Sequence, residues 1–285
     1  MQRRASKMRM KRGRTARLEL VPLVLGALAL ASCAQPASGL ECCGRTSSAL
    51  GGTQDEVGPV TCHVLSPSFG RSPLALVAVD LDGGVVTEVA HWNAPDDTLF
   101  LVEGMTYDGK QLVAAAYDGS GFSWYGLDPK HGRVLFVGAS ESTLESAAWT
   151  GSDWLAPLPQ WGGFGRYPTL EALVAGKPRC QVPGMDESRF TVSGGLIYGT
   201  SSSGEVVSIR NLGTGALVRT LNIAPERSSV RGLSVAGGAV HVLWGPVDST
   251  PTLTSFDLLT GAPLSRWSIP GALSSGLFCS TRPLY

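Results

Sequence analysis

Few side chains in this sequence carry charge: 16% are Asp, Glu, Lys or Arg, and only 7% are aromatic. No HExxH, G-x-S-x-G or P-loop motif occurs. That removes the zincin, α/β-hydrolase and phosphate-cradling chemistries those spacings serve. No CxxC pair and no Cys/His pair at zinc spacing occurs either, which argues against a structural zinc site. Beyond the N-terminal segment, no stretch keeps a 3.6-residue apolar period for about a dozen residues, so a helical bundle is excluded. What is abundant is turn chemistry: Gly and Pro make up 54 of 285 residues. A hydrophobic content of 43% is too high for a disordered chain.

The formal net charge of zero hides an asymmetry. Residues 1–32 hold eight of the 23 basic side chains and a single acid, Glu19. The remainder has 15 basic and 22 acidic side chains, a net of −7. A nucleic-acid partner needs a clustered basic face, and this balance argues against one.

Residues 1–17 are basic, and residues 20–31 form an apolar run of about a dozen residues. That is the secretory signal pattern and is short for a membrane span. The run ends in Leu30-Ala31-Ser32-Cys33. Small residues before a cysteine fit a peptidase cleft, and the thiol accepts a lipid. This segment resembles the lipobox of bacterial lipoproteins at all four positions. The resemblance implies a signal peptide over 1–32, diacylglycerol on Cys33 and a membrane anchor. Ala34, where an Asp would imply inner-membrane retention, implies the outer membrane of a diderm bacterium. Residues 33–57 are small, polar and Gly-rich and read as a flexible, lipidated tether. The folded domain is expected over 58–285.

Setting Cys33 aside leaves Cys42, Cys43, Cys62, Cys180 and Cys279, and an exported compartment permits disulfides. The vicinal Cys42-Cys43 pair is similar to the adjacent disulfide of quinoprotein dehydrogenases. It lies in the tether, away from any packed site, so no cofactor is expected.

The body repeats. Glycines Gly109, Gly151, Gly194 and Gly237 each join two short strand-like segments, at spacings of 42, 43 and 43 residues. A second motif follows each: Asp80–Gly84, Asp128–Gly132, Asn211–Gly215 and Asp257–Gly261, with residues 170–176 a degenerate copy. In each, an acidic or amide side chain starts a turn and Gly supplies positive φ at its end. Flanking segments alternate with period two, the mark of half-buried strands. Four short strands per repeat cannot bury both faces of one sheet, whereas radial stacking does. The repeats resemble β-propeller families of the quinoprotein-like and WD40-like kinds. An all-β fold of about five four-stranded blades is expected, near 58–95, 101–138, 144–182, 187–224 and 230–270. Six incomplete blades are the alternative.

Residues 276–281 match the segment starting at Gly232, so a C-terminal innermost strand would complete blade one and close the ring. That closure puts Cys279 beside Cys62, paired as a disulfide or held as two buried thiols. His63 and His241 occupy equivalent second-strand positions and read as structural.

Propellers usually bind on the face carrying the second-to-third and fourth-to-first strand loops. Two features fall there. One is an acid followed by a hydroxyl between blades, at Asp97-Thr98, Glu141-Ser142, Glu187-Ser188 and Glu226 to Ser228, with Glu103, Glu145 and Arg231 at the pore mouth. The other is the blade-three segment 156–168, where Trp161, Phe164, Arg166 and Tyr167 are interface-type residues expected on a long loop. Together these point to a non-enzymatic binding scaffold for an envelope protein or glycan. The other reading is a lactonase-like or carbohydrate-active enzyme or small-ligand receptor. It requires carboxylates converging on the channel, for which Glu103 and Glu145 are the candidates.

Overall fold

The structure is a computed structural model. It describes residues 58–66, 74–92, 101–117, 121–140, 146–158, 162–183, 187–201, 204–223, 229–245, 250–269 and 275–284. The expected signal segment, Cys33 and the expected tether lie outside the described residues.

Five four-stranded antiparallel sheets make up the ring of a five-bladed β-propeller. Blade one contributes β1 (Thr61–Ser66), β2 (Leu74–Asp80) and β3 (Val86–Trp92). Blade two is β4 (Leu101–Tyr107), β5 (Leu112–Tyr117), β6 (Phe122–Asp128) and β7 (Arg133–Ser140). Blade three is β8 (Ala148–Trp149), β9 (Trp154–Pro157), β10 (Gly163–Tyr167), the helix α1 (Leu170–Val174) and β11 (Cys180–Pro183). Blade four is β12 (Arg189–Ser193), β13 (Leu196–Thr200), β14 (Val206–Asn211) and β15 (Leu217–Asn222). Blade five is β16 (Val230–Ala236), β17 (Ala239–Trp244), β18 (Thr252–Asp257) and β19 (Pro263–Ser268). The last strand, β20 (Leu277–Ser280), pairs antiparallel with β1 and completes blade one as its innermost strand. The six-blade alternative is therefore set aside.

The acid-to-Gly turns connect the third and fourth strands. Asp257 Oδ1 accepts from the Leu259 and Thr260 amides and from the Thr260 hydroxyl at 3.1, 2.7 and 2.7 Å. Gly261 then takes φ 74°, which L side chains avoid. These turns dock on the outer strand of the preceding blade. A Cβ on Gly261 would stand 2.3 Å from the Asn222 carbonyl oxygen, and one on Gly215 at 2.3 Å from that of Pro183. The degenerate copy in blade three is not such a turn. Thr169 accepts from the Ala172 amide at 3.1 Å and caps α1, and Gly176 at φ 63° follows the helix. A capping hydroxyl followed by Leu-Glu-Ala-Leu-Val, with no early Gly, favours one helical turn over a hairpin.

Apolar side chains interleave between neighbouring blades. Tyr198, Val207 and Leu221 of blade four meet Leu233, Val240 and Val242 of blade five. At the closure, Val64 and Val79 of blade one meet Leu243 and Leu253 of blade five.

Candidate functional site

Two inner strands carry the same irregularity near their starts. In β4 the register shifts between Val102 and Gly104, and in β16 between Val230 and Gly232. The extra residues are Glu103 and Arg231. A bulge re-aims one side chain without ending the strand, and here it does so at equivalent repeat positions. The glycine after each bulge matches Gly276 before β20. A Cβ on Gly232 would stand 2.6 Å from the Leu277 Cβ, and one on Gly276 at 2.7 Å from the Met105 Cβ. The inner strands of blades five, one and two are thus in near-backbone contact.

Blade four has Arg189 where those blades have glycine. Its Nη2 donates to Glu103 Oε2 at 3.4 Å, with side-chain exposures of 13% and 24%. Blades two and four are not neighbours in the ring, so this pair spans the pore mouth. Arg231 Nε donates to the Gly245 carbonyl oxygen at 2.6 Å. Its remaining guanidinium nitrogens face no carboxylate among the described residues. Pairing of Glu103 with an arginine of a non-adjacent blade was not visible in the sequence. The signal available was the replacement of the repeat glycine by Arg189. Glu145 lies outside the described residues.

Of the four acid–hydroxyl pairs between blades, only Glu187-Ser188 lies among the described residues. Glu187 turns into blade four, where it accepts from the Ser208 hydroxyl and from Arg210 Nε, the latter at 3.2 Å. Gly199 makes the room: a Cβ there would stand 2.6 Å from the Glu187 Cγ. Asp97, Glu141 and Glu226 lie outside the described residues.

The aromatic loop of blade three is corrected. β9 runs to Pro157 and β10 starts at Gly163, so most of segment 156–168 is strand. Phe164 is 1% exposed and stacks edge-on against Phe190 at 4.5 Å. Tyr167 is also 1% exposed, and burial pushes its phenol up to about 12. Neither ring is available to a partner. Arg166 Nη2 donates to Asp153 Oδ1 at 2.8 Å, and Arg179 Nη2 to Oδ2 at 2.7 Å. Burial alone would raise the Asp153 carboxyl, but hydrogen bonds from Arg166 and Thr150 prevail and hold it below the usual carboxylate range. Arg166 is therefore structural too. Trp161 lies outside the described residues. The missed signal was Gly163-x-Gly165, a period-two alternation that lets the Tyr167 ring fold over Gly165.

At the closure, Cys62 and Cys279 lie directly opposite each other and are joined by a disulfide across 217 residues. The His241 imidazole lies within 4.8 Å of both sulfurs. With both sulfurs in the disulfide, that cluster offers one imidazole rather than three metal ligands. His241 Nδ1 meets Ser255 Oγ at 2.8 Å and Nε2 meets the Ala236 carbonyl oxygen at 3.1 Å. Cys180, at the start of β11, is likewise disulfide-bonded.

One seam differs from the rest. Gly132, in the blade-two turn, meets nothing within 4 Å, whereas its counterparts Gly84, Gly215 and Gly261 dock. A cleft of about 460 Å³ opens there, lined by Val89, Ala90, His91, Trp92, Pro129 and Gly132.

No protein-family model matches the chain, and no curated protein matches its sequence. Solved structures do. A glutaminyl cyclase from Myxococcus xanthus has 11% identity and a TM-score of 0.42 over 63% of this chain and 70% of that one. A nidogen/laminin complex has 10% identity and a TM-score of 0.43 over 76% and 98%. A hydrazine synthase from Kuenenia stuttgartiensis has 16% identity and a TM-score of 0.38 over 59% and 49%.

Proposed function

We propose that this protein is an exported lipoprotein, anchored through Cys33 to the outer membrane of a diderm bacterium. Its propeller serves as a non-enzymatic binding scaffold for an envelope protein or glycan. The observation that carries this reading is the pore mouth. Glu103 and Arg189 join non-adjacent blades there, and Arg231 presents a guanidinium from an equivalent bulge on the same side. A bridged mouth suits recognition at a surface rather than admission of a substrate into a channel. Guanidinium groups in this setting recognise carboxylates bidentately, so the partner is an acidic protein surface or an acidic glycan.

Capture from native membranes after mild crosslinking tests the site. Wild type is expected to recover a discrete envelope protein or glycan, and Arg231→Glu to lose it with an unchanged melting temperature. Equal capture by both proteins removes the pore mouth from the reading. Palmitate incorporation tests the anchor: Cys33→Ala is expected to abolish it, and retained incorporation refutes lipidation at Cys33.

A further inference from the structure

The chain reaches the propeller at one particular end of the ring. Thr61, the first residue of β1, pairs with Asp80 at the third-to-fourth-strand turn of blade one. The Leu81 amide donates to the Val60 carbonyl at 3.1 Å, which extends that pairing by one residue. A Cβ on Gly237, in the first-to-second-strand turn of blade five, would stand 2.5 Å from the Val60 side chain. The N-terminal segment therefore joins the domain on the side opposite the pore mouth.

The same end is where exposed apolar side chains gather. Among the described residues ten large apolar side chains are exposed, and eight of them stand in or just after third-to-fourth-strand turns. They include Val85 on blade one, Leu135 and Phe136 on blade two, Leu217 and Val218 on blade four, and Leu259 and Leu264 on blade five. Leu259, within the blade-five turn, is 78% exposed, and Leu135 is 64% exposed. Bulges hold some of them outward: Arg210 pairs with Leu217 and Ile209 with Arg219, leaving Val218 unpaired. In blade five, Phe256 pairs with Pro263 and Ser255 with Ser265, leaving Leu264 unpaired. Single exposed apolar residues are ordinary, but a rim of them around one end is not.

Among the described residues the opposite end carries no such rim: only Tyr117 and Val206 of the ten stand there, and the charged pair of Glu103 and Arg189 lies at its axis.

We propose that the turn end of the ring is a membrane-docking face, with the bilayer interface as its occupant. The apolar rim enters the boundary between headgroups and acyl chains, and the pore mouth faces away from the membrane. This rests on the reading that Cys33 is lipidated. That anchor brings the rim to the bilayer at high local concentration, so a modest affinity of the rim itself sets the orientation. Interfacial contact of this kind reaches roughly 5–10 Å below the surface, which matches turns at the tip with strand residues two to four positions behind them.

The test uses the full lipidated chain in vesicles of phosphatidylcholine and phosphatidylglycerol that carry a photoactivatable, acyl-chain diazirine. Adducts are read peptide by peptide, and the mass of the N-terminal peptide reports lipidation independently. Adducts concentrated on the peptides holding Leu135–Phe136, Leu217–Val218 and Leu259–Leu264 are expected. The Phe136→Glu/Leu259→Glu variant is expected to reduce them by at least about tenfold, the effect of losing burial of just one apolar side chain. Even labelling of both ends, or labelling of the pore-mouth end, overturns the proposal. So does rim labelling that arises only when other membrane proteins are added, which would make the face a protein interface. If the N-terminal peptide carries no lipid, the lipidation reading fails by itself. The same labelling is then run with the N-terminal segment held to the vesicles by a histidine tag and a nickel-chelating lipid, which restores the local concentration; rim adducts then uphold the face and their absence overturns it.

Discussion

Acid should loosen this propeller well above the range where carboxylates titrate, because of two histidines beside the ring closure. His63 and His241 are 3% and 1% exposed. Burial lowers both to about 4, although a hydrogen bond to the Phe278 backbone pulls His63 the other way and one to the Ala236 backbone does so for His241. In the unfolded chain both protonate near the ordinary 6.5. Between those values the unfolded state binds protons that the folded state refuses. Stability is therefore full above about pH 6.5 and falls as pH drops toward 4. Going from pH 7.5 to pH 5 costs about 2 kcal/mol per histidine and about 4 kcal/mol for the pair. For a domain of this size that is a fall of roughly 10 °C in melting temperature. Thermal melts at the two pH values read it directly. The His63→Gln/His241→Gln double variant should start from a lower melting temperature and lose little on acidification. A wild type whose melting temperature holds at pH 5, or a double variant that falls as far as wild type, refutes the reasoning.

The ring closure gives two further expectations. Cys62→Ala/Cys279→Ala removes a cross-link over 217 residues, worth about 5 kcal/mol on the loop-entropy model, and chemical denaturation of the variant should show most of that loss. A midpoint unchanged from oxidised wild type would mean the strand pairing of β1 with β20 closes the ring unaided. Gly276→Ala forces a Cβ against the Met105 Cβ and 3.3 Å from its amide nitrogen. Backbone yields little there, so a loss of about 1–3 kcal/mol is expected, and an unchanged denaturation midpoint would show that the inner strands can spread.

The architecture was legible because it is written in turns. A glycine every 42 or 43 residues, with an acid-to-Gly motif in every repeat but the third, pointed to about five blades and to their boundaries without reference to packing. The closing strand was legible because residues 276–281 repeat the start of β16. What failed was the reading of blade three, where the repeat wears out. Aromatic residues beside glycine and proline look alike on a loop and on a strand, since either setting leaves room for a large ring. Only the neighbours decide: Phe190 from blade four covers Phe164, and a pocket with Trp124 and Leu173 covers Tyr167. Glu187 was misread for a similar reason. An acid followed by serine is ordinary turn chemistry, and nothing local announces that Ser208 and Arg210 wait on the next strand but one.

The sites where the repeat is broken and the sites where function is proposed coincide in part, for a physical reason. Glycine before the inner strand is what lets blades five, one and two crowd the axis. A blade that gives up that glycine must send a side chain somewhere, and the open space is the axis itself. Arg189 does this, and the Glu103 bulge supplies the charge that makes a guanidinium there tolerable. The pair then ties blade two to blade four across the mouth, which no contact between neighbouring blades achieves. Replacing Arg189 by glycine would restore the repeat while removing the guanidinium that pairs with Glu103 at the axis. The ring thus separates charge from apolar surface by direction: inner-strand starts carry the Glu103–Arg189 pair at the mouth, and the third-to-fourth-strand turns carry exposed apolar residues at the end where β1 begins.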